Sequence, residues 1–272
     1  MERDDLRDDV VVTDFKEFLQ LLKEEKIRKD KDLLPITHIP DSFKIGAIKK
    51  DRHFKTFKGN KNYPDEELAF FTYGRNVYIP EEKKNLENDA YPPMVFVMDP
   101  PSDIIPKRML PFDSGGFERY DLPKGMPLSR FEIDRPCQED MIKLVFLLYR
   151  NNQNYLKYEH DFEQLAKRLQ FLFPELEVLH QFYSKVKNTS TEVGQQGRSV
   201  EIQYDQEVPL KPILVLYPHI FATNEGKADQ VEMAFEGATV LPYAASGNPR
   251  VYITAINEQI TRFINPSTNT IA

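Results

Sequence analysis

Four short segments carry residue types that could do chemistry. In GRSVEIQYDQEVPL, Glu201 stands between apolar Val200 and Ile202 and alternates with Ser199 and Gln203. On a strand that alternation places Glu201 and Gln203 on one face. Turned into a cleft, the pair could grip ribose hydroxyls and hold negative charge beside a developing cation; turned outward, it is an ordinary solvated strand face. In ITHIP, His38 follows the hydroxyl of Thr37 at an expected strand end, and a lone histidine is as readily a structural residue. The run FFTYGRNVY offers Tyr73, Arg75 and Tyr78 around Gly74. Two flat aromatic faces and one fixed cation suit a planar ring and a phosphate; the plainer alternative is a buried aromatic strand with a surface arginine. In RMLPFDSGGFERY, Gly115 and Gly116 follow Asp113 and Ser114. Such a loop can set backbone amides around an anion, but it lacks the spacing of a nucleotide-binding loop, and a tight turn explains it equally.

Other chemistries have little to stand on. The histidines (His38, His53, His160, His180, His219) form no HExxH or His-x-His pair, and no GxSxG elbow is present. Cys137, just after Pro136, is the single cysteine. No intrachain disulfide and no cysteine-rich metal framework can be built, a packing role is expected for the thiol, and a reducing compartment fits best. The 272 residues are 40% hydrophobic, 12% aromatic and 29% charged, the composition of a folded chain. A net charge of −7 argues against a broad grip on nucleic-acid phosphates, although a local basic groove is compatible with it. The acidic start MERDDLRDDVVV does not resemble a secretory signal, and no apolar run reaches the roughly 18–20 residues of a membrane span. The expectation is a cytoplasmic protein with no membrane partner.

The elements that must position these residues read as an α+β pattern. DFKEFLQLLKEE puts Phe15, Phe18, Leu19 and Leu22 on one helical face behind a capping box of Asp14 and Glu17. LLPITHIPDSFKIGAI predicts a strand, a turn and a short helix ending near Gly46, followed by a basic loop over 49–62. Strands are expected at ELAFFTYGRNVYI, at Met94–Met98, at SVEIQY and at PILVLYP, with an irregular proline-rich passage through PFDSGGFERYDLPKGMP. Helices follow from the spacing of Met141, Leu144, Val145 and Leu148, of Phe162, Leu165, Ala166 and Leu169, and of Leu176, Leu179, Phe182 and Val186, with Pro174 separating the last two. A helix at DQVEMAFEG, closed by Gly237, should cross over to a strand at ATVLPY, and PRVYITAINEQITRFI completes the pattern with a helix carrying Ile253, Ile256, Ile260 and Phe263.

Taken in order, ITHIPDSFKIGAI, FFTYGRNVY and GRSVEIQ followed by VPLKPILVLYP resemble the ADP-ribosyltransferase fold, in its bacterial toxin-like, DNA-modifying branch related to DarT. The resemblance implies a split β-sheet core with inserted central helices at about 137–187, in one domain over 1–272. It makes NAD the substrate, with no metal. Glu201 inherits the catalytic carboxylate, His38 the ribose contact, Tyr73 or Tyr78 the ring that stacks on nicotinamide, and Arg75 the phosphates; Thr37 and Gln203 line the same site. The acceptor would be a protein, a nucleic acid or water, in a toxin or phage-defence setting with an antitoxin or another partner protein. This reading requires His38, a tyrosine of the Tyr73–Tyr78 segment and Glu201 to line one cleft. Two rivals are a non-catalytic binding protein and a metal-dependent nuclease, which needs Asp113, Glu132 and Glu201 around one point.

Overall fold

The computed structural model describes residues 5–40, 45–76, 92–116, 126–187, 197–221, 227–245 and 249–265. Its strands are β1 (Ile36–His38), β2 (His53–Phe54), β3 (Ala69–Tyr73), β4 (Val95–Met98), β5 (Arg108–Leu110), β6 (Ile133–Asp134), β7 (Glu201–Tyr204), β8 (Val208–Pro209), β9 (Pro212–Pro218) and β10 (Thr239–Tyr243). Its helices are α1 (Phe15–Leu19), α2 (Lys29–Asp32), α3 (Ile45–Asp51), α4 (Gln138–Tyr149), α5 (Asn152–Leu156), α6 (Glu163–Leu169), α7 (Pro174–Lys187), α8 (Lys227–Ala234) and α9 (Pro249–Ile264). The α+β class read from the sequence holds. Where a split core was expected, the described strands form one mixed eight-stranded sheet, ordered β10-β9-β4-β1-β3-β7-β5-β6, and a separate β2-β8 pair. All pairings are antiparallel except β9 with β10, which α8 joins as a crossover.

Burial explains the strand sequences. The run VFVM of β4 is apolar without alternation because both of its faces are covered. Phe96 and Met98 enter a large cluster with Phe54, Phe71 and Phe235, while Val95 and Val97 meet Leu214, Leu216 and the Ile253, Ile256 and Ile260 stripe of α9. In β3 the alternation is strict: Ala69, Phe71 and Tyr73 are buried, and Phe70 and Thr72 are half-buried. The second face of the sheet is therefore apolar under α9 and turns polar toward β3 and β7.

Local signals were read unevenly. Asp14 caps α1 by accepting from the Glu17 amide at 2.8 Å, but Glu17 turns back to Thr13 rather than to Asp14, and the helix stops at Leu19 so that Leu22 can bridge to Leu6. Gly46 lies at the start of α3, not at its end, and the expected loop at 49–62 contains the end of α3 and all of β2. The proline-rich passage hides β5. Among the described residues no helix is long and apolar enough to cross a membrane.

Candidate functional site on the Glu201 face

Registered pairing of β1, β3, β7 and β5 sets Thr37, Thr72, Glu201 and Leu110 in one row. Directly paired residues share a face, so the two threonines and Glu201 project together. Their hydroxyls meet at 2.5 Å, and both reach the Arg75 carbonyl, Thr72 at 2.7 Å. The sharp exit from β3 that brings this carbonyl in requires Gly74: its φ is +65°, and a Cβ would stand 2.6 Å from Leu34 Cδ1.

Glu201 is no solvated face residue; it is 3% exposed. Its carboxylate accepts from the Ser114 amide at 3.0 Å, from the Ser114 hydroxyl at 2.8 Å and from Gln203 Nε2 at 2.5 Å. The loop with paired glycines thus presents a backbone amide to an anion, and that anion is the protein's own carboxylate. Burial raises the Glu201 pKa to about 8, the Asp113 carboxylate pushes the same way, and the Gln203 and Ser114 donors only partly oppose them. Near neutrality burial and Asp113 favour the protonated form, and a nearby cation would favour the ionised one. In the next row Arg108 is paired with Gln203, lies 4.1 Å over the Tyr63 ring and binds Glu66 at 2.6 Å, while Tyr63 donates to Glu132 at 3.0 Å.

His38 belongs to the other face. It pairs with Phe96, and its ring packs 5.0 Å from Phe71 and 4.3 Å from Phe54. Phe71 pairs with Ile202, one residue out of step with the Thr72–Glu201 pair, and the period of two along a strand puts the two sets on opposite sides. The expected single cleft joining His38 to Glu201 is not built. Tyr73 is buried on the His38 side, where its hydroxyl accepts from the Leu34 amide at 2.8 Å and burial pushes its pKa up, so it cannot stack on a ligand beside Glu201. Tyr78 lies outside the described residues. His38 and His53 instead line a cavity of about 430 Å³ with Ile48, Asp51, Phe54 and Phe57. Both Nδ1 atoms face carbonyls, of Phe70 at 2.8 Å and of Asp51 at 2.9 Å, so each ring donates from Nδ1.

Arg75 is not a surface residue. It is 3% exposed and sandwiched between Tyr155 and Tyr158, each 3.7 Å from its guanidinium carbon, with all three side-chain nitrogens lacking a hydrogen-bond partner. Arg198, 1% exposed, lies 5.5 Å over the same Tyr158 ring, and its Nε is also without a partner. Burial lowers the Arg198 pKa, and Arg75 lowers it further. Both atoms of the buried Asn76 amide lack partners too. Stacking on tyrosine returns about 2 kcal/mol per desolvated contact, whereas burying an unpaired ion costs several kcal/mol. The cluster is left in deficit.

Sequence reasoning passed over Thr72, Arg108, Asn76 and Arg198, and treated Ser114 only as part of a turn. Arg198 stands three residues before β7 and carried a signal, since a cation leading into an alternating strand is easily buried at its end. Arg108 carried none. The nuclease constellation does not form: among the described residues no three His, Cys, Asp or Glu side chains are grouped to hold an ion, and Glu132 is engaged by Tyr63 and Arg108. Cys137, expected to pack, is exposed just ahead of α4, where its amide donates to Asp140 at 2.9 Å. No protein-family model matches the chain, and no curated protein matches it.

Proposed function

We propose that this chain is an NAD-cleaving ADP-ribosyltransferase whose carboxylate is Glu201; the cleft joining His38, Tyr73 and Glu201 that the resemblance required is not built, so the proposal rests on the Thr37–Thr72–Glu201 row alone. One observation carries the reading. The segments ITHIP, FFTYG and SVEIQ, far apart in the chain, become the adjacent strands β1, β3 and β7, and their polar residues fall in register on one face. Nothing in sequence separation requires that convergence.

The chemistry follows from the carboxyl's surroundings. Breaking the bond between nicotinamide and ribose C1′ sends its electron pair out with neutral nicotinamide and leaves an oxocarbenium-like centre. A carboxylate beside that centre stabilises it. Glu201, held by Ser114 and Gln203, supplies the charge once the approach of the cationic nicotinamide ribosyl group has driven its proton off to solvent. The acceptor then adds to C1′ and loses a proton, and with water as acceptor the enzyme is an NAD glycohydrolase.

The test is nicotinamide release from NAD by the full chain beside a Glu201→Gln variant, with and without cell lysate as a source of acceptor. Release by the wild type alone is the expected result, and dependence on lysate identifies a macromolecular acceptor. Equal release by both proteins, or none from either, removes the reading.

A second reading, a non-catalytic binding protein, is favoured by the cavity at His38 and His53, whose volume lies in the range of small-molecule sites. Phe54, Phe57 and the two imidazoles line it with ring surfaces. It predicts that a flat heteroaromatic compound raises the melting temperature of wild type and Glu201→Gln equally, and that Phe54→Leu abolishes the rise.

A further inference from the structure

A guanidinium cannot shed its charge at any accessible pH, so a buried arginine needs a counter-charge or a full set of acceptors. Arg75 has neither. Its Nε and both Nη atoms lie under the rings of Tyr155 and Tyr158 with no hydrogen-bond partner. Among the described residues Arg198 shares Tyr158, leaves its Nε unmet, and directs Nη1 to His160 Nδ1 at 3.4 Å. Among the described residues no carboxylate forms an ion pair with either side chain, although surface arginines such as Arg7, Arg135 and Arg168 all find one. Asn76 adds a buried amide with no partner at either end. Two positive charges thus meet over Tyr158 where β3 ends and β7 begins, with Asn76 next to Arg75 in the chain, and among the described residues they lack what would satisfy them.

We propose that Arg75, Arg198 and Asn76 form a binding site for a phosphate-class dianion. Two guanidinium forks match the oxygen geometry of a tetrahedral oxyanion, and a doubly charged ion neutralises both arginines, where a single carboxylate would leave one uncompensated. Tyr158 is the gate. Its half-buried ring lies over both cations just past the end of α5, where its φ of +61° closes the helix, so an ion reaches the guanidinium groups by displacing this ring. The inference does not rest on NAD cleavage: free phosphate, pyrophosphate and the phosphates of a nucleotide share the chemistry that the two guanidinium groups recognise.

The experiment titrates the full chain with inorganic phosphate, inorganic pyrophosphate and ADP, following heat and melting temperature, with chloride at matched ionic strength as the control. Saturable binding with a rise in melting temperature is expected, and chloride should give none. Arg75→Met and Arg198→Met should each weaken pyrophosphate at least tenfold. In anion-free buffer both variants should melt no lower than the wild type, because each removes a buried charge that has no partner; a purely structural arginine would instead lower it. Glu201→Gln should bind pyrophosphate within threefold of wild type, which separates this result from the fate of the NAD reading. ADP binding tenfold tighter than pyrophosphate assigns the ion to a nucleotide, and equal affinities assign it to a free anion; both support the site. Should either methionine variant fail to fold, protection of Arg75 and Arg198 from phenylglyoxal in wild-type protein by pyrophosphate, read by mass spectrometry, replaces it. Equal modification with and without pyrophosphate, a response to chloride as large as that to phosphate, or unchanged affinity in the variants overturns the proposal.

Discussion

The two faces of β3 and β7 are made from alternate residues of the same few strands, yet they are different materials. One carries Phe71, Tyr73, Ile202 and Tyr204 into the main core, with His38 packed on Phe54 and Phe71. The other carries Glu201 and Gln203 into a hydrogen-bonded layer with Ser114, and Thr72 beside Thr37 and the Arg75 carbonyl. Thr37 and His38 are chain neighbours and fall on opposite sides. On a strand, proximity in sequence separates residues by the thickness of the sheet, while register joins residues far apart in the chain. A catalytic set has to be drawn along the register.

The sharpest way to break this comparison is to change one residue on each face and measure turnover. Glu201→Gln should lower nicotinamide release about 10²–10³-fold, the usual cost of removing one preorganised electrostatic group, whereas His38→Ala should leave turnover per folded molecule within about threefold. Steady-state kinetics on protein of verified folded fraction decides it. A loss of comparable size in His38→Ala would move the reacting centre to the other face.

The pH dependence tests the same contrast through stability. The Glu201 pKa is raised by burial from an ordinary 4.5 to about 8. A carboxyl whose pKa rises on folding contributes its full stability below the unfolded value and loses it as pH climbs through the folded one. Denaturant midpoints should therefore fall between about pH 4.5 and pH 8, by up to about 1.4 kcal/mol per pH unit for one proton. Glu201→Gln should remove that component of the slope. Activity runs the other way: kcat/KM should rise with pH toward a plateau above about 8, because the chemistry needs the carboxylate. Wild-type and Glu201→Gln profiles of identical slope would mean that Glu201 is ionised throughout.

The apolar face gives a smaller effect. His38→Ala removes a half-buried ring and its bond to the Phe70 carbonyl, and should cost roughly 1–2 kcal/mol in urea unfolding. Much of the architecture behind these effects is legible in the chain. The continuous apolar run MVFVM announced a strand, and ILVLY, the helix closed by Gly237 and VLPY announced a helical crossover, because burial and capping leave local marks. What stayed hidden was set by distant contacts. Three residues of β5 inside a proline-rich passage carry no periodicity, and the burial of Arg75 depends on Tyr155 and Tyr158 from the helical insertion. Alternation paired Glu201 with Gln203 correctly, but whether their face met solvent or Ser114 was decided by a loop nearly ninety positions away, at |i−j| = 87.

The smallest change asks whether the threonine row touches substrate or only shapes the strand end. Thr72→Val keeps the β-branched shape and removes the hydroxyl that reaches the Arg75 carbonyl at 2.7 Å. Thr37 still meets that carbonyl, so no buried acceptor is orphaned, and the cost should be near the ordinary net value of one hydrogen bond, about 0.5–1.5 kcal/mol. If the row is scaffolding, KM for NAD and kcat stay within twofold. If the row contacts the ribose, KM rises while stability falls by the same small amount, because the hydroxyl then serves the ligand as well as the Arg75 carbonyl. Thr37→Val provides the control: its hydroxyl is more deeply buried and more fully engaged by the protein, so a larger stability loss with a smaller KM effect would place the ligand on the Thr72 side of the row, next to Glu201.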